Sequence, residues 1–127
     1  MQSRTSRIKP PRRVVKKITE YLLSQVGVYD DLSLDVAVPP PPRTPRGTKG
    51  IDLKVEVLSE EVSDKFNFEA QFKPTNSILY VNLPLLEVNF EGRDLKNAIF
   101  KVVAHELVHV YQIIYTRIKE NDPRADS

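Results

Sequence analysis

Between Asp94 and about Lys119 the chain carries neither glycine nor proline. So long an uninterrupted stretch predicts a single helix. Leu95, Ile99, Val102, Val103, Leu107, Val110, Ile113, Ile114 and Ile118 recur at helical spacing and cover much of its circumference. A helix this apolar belongs at the buried centre of a domain. The chain's two histidines, His105 and His109, fall in its most hydrophobic part, with Glu106 directly after the first. Positions four apart share one helix face. Burying such groups without partners costs several kcal/mol, and a divalent cation would supply the missing partner. Two imidazoles one turn apart can grip one ion, and Glu106 projects to where a water on that ion would lie. The plainer alternative is a pair of ordinary histidines with hydrogen-bonded neighbours.

The rest of the chain supplies elements to pack around that helix. From Arg12 to about Val26, Val14, Val15, Ile18, Leu22 and Val26 fall at helical intervals, with Lys16, Lys17 and Glu20 outside. Gly27 is the expected stop. A short strand is expected over Leu34 to Val38. The run from Pro39 to Gly47 holds five prolines and favours a stiff, extended connection without ladder donors. It reads as a surface loop, a recognition segment or a flap. Ile51 to Val57 alternates strictly, Ile51, Leu53, Val55 and Val57 on one side, and predicts a half-buried strand. Phe66 to Phe72 alternates in the same way. Lys73 to Ser77 is a turn cluster implying a hairpin into a strand over Ile78 to Leu83. Asn82 and Pro84 open a short helical turn that Glu91-Gly92 ends. The expected fold is α+β: an N-terminal helix, a three- to four-stranded, mostly antiparallel sheet, and the long histidine-bearing helix at its centre.

Residues 12–127 suit one domain, being too few for two cores. The composition, 40% hydrophobic and 28% charged, is that of a soluble protein. Absence of cysteine excludes disulfides and thiolate metal sites. No apolar run is as long as a bilayer span and the start lacks a hydrophobic signal core, so a cytoplasmic, intracellular protein is expected. The net charge of +2 conceals an asymmetry. Arg4, Arg7, Lys9, Arg12, Arg13, Lys16 and Lys17 fill the first 17 residues with no acid among them, and the remainder is net acidic. Residues 1–11 read as a disordered basic arm. It is either a frayed, solvated terminus or a contact for nucleic acid or another anionic surface. No aromatic residue is interleaved with these basic residues, so base stacking finds no support there.

The strand Ile78-Leu79-Tyr80-Val81-Asn82, a short turn, and then a helix bearing Ala104-His105-Glu106-Leu107-Val108-His109 resembles the core of small zincins, of the minigluzincin, SprT-like and ImmA/IrrE-type peptidases. The likeness spans roughly residues 50–120, and its specific part is the H-E-x-x-H segment. It implies a zinc ion held by His105 and His109, Glu106 as general base, and a polypeptide substrate bound beside Ile78, Leu79, Tyr80, Val81 and Asn82. One element departs from the family pattern. A catalytic zinc takes three protein ligands, yet Tyr115 stands where metzincins have their third histidine, and Gln112 where they have glycine. SprT-like proteins use a third histidine, which is lacking here. The other families use a glutamate on a later helix. Glu120 lies eleven residues past His109, about 16 Å along a helix. Asp122-Pro123 would cap a further helix, leaving Asp126 as the candidate third ligand unless another chain or a longer sequence provides one. The expected function is zinc-dependent peptide hydrolysis. The alternative is a latent or non-catalytic zincin-like module, associated with nucleic acid through its basic arm.

Overall fold

The computed structural model describes residues 9–29 and 33–121, with side chains described as far as Ile113. Helix α1 (Arg12–Ser24) starts where the Pro11 carbonyl accepts from the N–H groups of Val14 and Val15, both at 3.0 Å. Its buried stripe is Val14, Val15, Ile18, Thr19 and Leu22. The Thr19 hydroxyl is satisfied by the Val15 carbonyl at 2.7 Å. The chain leaves this helix through Gly27 at a φ of 76°, a left-handed conformation that glycine adopts without a Cβ penalty.

Strands β1 (Leu34–Val38), β2 (Ile51–Val57), β3 (Ala70–Lys73) and β4 (Ile78–Val81) form one sheet in the order β1-β2-β4-β3. β1 and β2 are antiparallel, β2 and β4 parallel, β3 and β4 antiparallel. Between β2 and β3 lies the short helix α2 (Glu60–Ser63), and between β4 and the long helix α4 (Gly92–Asn121) lies α3 (Leu83–Asn89). Inward residues alternate as a half-buried sheet requires. Val36, Val38, Leu53, Val55, Leu79 and Val81 are buried, whereas Asp35, Ala37, Asp52 and Lys54 are exposed. The buried face meets α1 and α4, whose Ile18, Leu22, Ile99, Val103, Leu107 and Val110 join the same cluster.

Both ends of the proline-rich segment are fixed by the pair Val38–Ile51. Gly50 closes it so tightly that a Cβ there would overlap the Val38 carbonyl. Gly50→Ala is therefore expected to cost about 1–3 kcal/mol, read as a lower midpoint in denaturant unfolding. An unchanged midpoint would mean that the loop relaxes freely.

Two expectations need correction. The strand expected over Phe66 to Phe72 is confined to Ala70–Lys73. β4 offers only four residues to pair with, and the preceding segment is diverted by α2 and its Ser59 cap. Phe66 and Phe68 lie outside the strand with ring centroids 5.1 Å apart, and Phe66 is 44% exposed. The following strand likewise stops at Val81, because the Asn82 side chain accepts from the Leu85 N–H and starts α3.

Candidate metal centre

A rise of 3.6 residues per turn decides which side chains of α4 meet the core. Leu95, Ile99, Val103, Leu107, Val110 and Tyr111 are buried. His105 and His109 fall roughly 120–160° round the helix from Val103, and Glu106 about 60°. The histidines are accordingly exposed and Glu106 half-buried at the margin. The expectation that the imidazoles are buried in the apolar part of the helix is thus overturned, and desolvation does not call for an ion there. The case for a metal rests on convergence instead.

That convergence is close. The Nε2 atoms of His105 and His109 face each other at 3.0 Å, with ring centroids 4.5 Å apart and planes at 88°. Tetrahedral zinc with bonds of about 2.0–2.1 Å holds two nitrogens about 3.3 Å apart, so little adjustment would admit it. Ligand atoms of His105, Glu106 and His109 lie within 4.8 Å of one another. The spread suits a carboxylate either as a ligand or one water removed from the ion. On the outer side, Nδ1 of His109 lies 3.1 Å from Oε1 of Gln112.

Glu106 is held from the sheet side. The backbone N–H of Phe72 in β3 donates to its carboxylate. Burial pushes the Glu106 carboxyl above its ordinary range, against the opposing pull of His109, His105 and that N–H. A carboxylate moved toward neutrality suits proton transfer. An open cleft of about 510 Å³ runs between β3 and α4, lined by Glu69, Ala70, Lys101, Val102, His105 and Glu106.

The strand expected to border substrate lies one place further in. Ile78 to Val81 form β4, which is paired on both sides. Leu79, Val81 and Asn82 are fully buried. The Asn82 side chain bonds to Ser63, Phe66 and Leu85, so it serves the scaffold. The free edge next to α4 belongs to β3. The Asn82 N–H donates to the Glu69 carbonyl at 2.8 Å. Antiparallel alternation then turns the backbone groups of Ala70 and Phe72 outward. Gln112, Lys101 and the β3 edge were not singled out as parts of the centre in the sequence. Lys101 precedes His105 by four and Gln112 follows His109 by three, so helical spacing marked both. The β3 edge is a product of sheet order alone.

Asp126 lies outside the described residues, as does the side chain of Glu120, and among the described residues no further carboxylate or imidazole joins the group. Of the basic arm, Arg4 and Arg7 also lie outside them. Lys9, Arg12, Arg13, Lys16 and Lys17 are exposed, the last four on the solvent side of α1. Among the described residues no helix is long and apolar enough to cross a membrane. No family model, no curated protein and no solved structure matches the chain.

Proposed function

We propose that the chain is a zinc-dependent peptidase whose substrate lies in the cleft between β3 and α4. The observation that carries this reading is the pair of facing Nε2 atoms, of which that of His105 belongs to the wall of a cleft that also holds Glu106 and borders a free strand edge. Zinc in such a setting supplies Lewis acidity toward a carbonyl and lowers the pKa of water. The protein groups do the rest. Ala70 offers its backbone N–H and carbonyl, and Phe72 its carbonyl, to an extended peptide, as edge strands do. Glu106 stands where it can take a proton from the attacking water and pass it to the departing amine. Its bond from the Phe72 N–H ties the base to the same strand that would align the substrate.

The test begins with metal. Zinc at 100 times its dissociation constant is expected to stabilise the native fold by about 2.7 kcal/mol, seen as a higher unfolding temperature. His105→Ala and His109→Ala should each abolish that shift. Equal shifts in the native and substituted proteins would exclude the centre. Peptide-library cleavage dependent on zinc then tests the reaction itself. A second reading, a zinc-binding module without hydrolysis, is favoured by one observation. Among the described residues only two imidazoles and Glu106 come together, one ligand short of a catalytic set if Glu106 is the base. Stoichiometric zinc with no cleavage of any peptide would select it.

A further inference from the structure

We infer that Gln112 is a positioning residue for the metal centre, its carboxamide oxygen holding His109 in the Nδ1–H tautomer so that a bare Nε2 faces the ion. The inference rests on the metal-binding part of the function proposed above.

The donor–acceptor logic starts from one distance. Oε1 of Gln112 lies 3.1 Å from Nδ1 of His109, and a carboxamide oxygen can only accept. In a neutral ring the hydrogen must then reside on Nδ1, which leaves the Nε2 lone pair open. That open nitrogen faces Nε2 of His105 at 3.0 Å. Two bare nitrogens would repel at this separation, so the hydrogen between them belongs to Nε2 of His105. The two imidazoles are therefore unequal before any ion arrives. His109 already presents its ligand atom, whereas His105 must shift its hydrogen from Nε2 to Nδ1 to become a ligand. Outer partners of this kind fix ring orientation and tautomer, and their loss weakens metal binding by about 10–100-fold. The placement is local to α4. Gln112 is half-buried, three residues after His109 and not among the residues that line the cleft between β3 and α4.

The experiment has two arms. Nitrogen-15 NMR of the metal-free native protein, above the pH range of imidazole protonation, should show His109 as Nδ1–H and His105 as Nε2–H. Zinc should convert His105 to Nδ1–H and leave His109 unchanged. Titration with zinc alone should then show affinity reduced about 10–100-fold in Gln112→Met, which keeps chain length without the acceptor, and preserved in Gln112→Glu, which restores an acceptor. Circular dichroism would confirm that both variants fold. Unchanged zinc affinity in Gln112→Met overturns the inference, and so does an Nε2–H tautomer at His109 in the native protein. An equal loss in Gln112→Glu and Gln112→Met overturns it too, since only side-chain packing would then be at issue. A native protein that binds no zinc overturns the inference together with the metal centre it rests on. A native protein that binds zinc, shows the His109 Nδ1–H tautomer lost in Gln112→Met and cleaves no peptide would uphold the role of Gln112 and remove the peptidase reading alone.

Discussion

Glu106→Gln is expected to slow peptide hydrolysis by about 10²–10⁴-fold, the usual worth of a positioned general base, while leaving zinc affinity nearly unchanged. The substitution keeps the shape of the side chain and an oxygen that can still accept from the Phe72 N–H. It removes only the capacity to take a proton. The facing nitrogens of His105 and His109 are set by four-residue spacing on one helix and by Gln112, and none of these contacts involves Glu106. A Glu106→Asp protein should fall between the two, since it keeps the base but withdraws it by one methylene from the cleft. Rates on a peptide library and zinc titrations, made on the same preparations, give the answer. Undiminished cleavage by Glu106→Gln would remove Glu106 as the base. Loss of zinc together with activity would instead make the carboxylate a ligand, and so move the protein toward the non-hydrolytic reading.

The sequence was most legible where one periodicity dominated. Arg12 to Leu22 announces α1 through its apolar spacing, and strict alternation from Ile51 to Val57 announces β2 with the same bounds as the fold. Long-range order was harder to read. Nothing local to Ile78–Val81 says that this strand pairs with β2 in parallel and is enclosed by β3. For that reason the interior place of Ile78–Val81, the strand expected to border substrate, could not be read from its own residues. The alternation of Phe66 and Phe68 promised a longer β3, but strand length is set by a partner as well as by pattern, and β4 contributes four residues. At the metal centre the spacing of His105, Glu106 and His109 foretold convergence correctly. Their exposure was misjudged because apolar residues on nearly every side of α4 concealed which side meets the core. The angular sum along the helix, taken from Val103, would have shown it.

Asn82→Ala is expected to destabilise the fold by about 2–4 kcal/mol, or a fall of about 10 °C in unfolding temperature for a domain of this size. Asn82 is fully buried and is engaged in several directions. Its Oδ1 accepts from the Ser63 hydroxyl and from the Leu85 N–H at 3.3 Å, which caps α3. Its Nδ2 donates to the carbonyls of Ser63 and Phe66, both at 3.4 Å. Alanine removes the cap and leaves the partners short of bonds in a site closed to water, where an unmet polar group costs about 1–3 kcal/mol. The consequences reach the cleft through the chain that Asn82 holds. Phe66 leads toward β3, and the Asn82 N–H holds the Glu69 carbonyl just before Ala70. Alanine keeps the backbone bond to Glu69 but frees the Phe66 carbonyl, so the approach to the β3 edge loses one of its anchors and KM for peptides should rise. Zinc affinity should hold, because the two histidines depend on α4 alone. Asn82→Asp discriminates between capping and clamping. Aspartate can cap Leu85 and accept from Ser63, yet it sets a negative charge against the Ser63 and Phe66 carbonyls, so it should recover little of the lost stability. Full recovery with aspartate would show that the cap alone accounts for the effect and that the contacts to residues 63 and 66 add nothing.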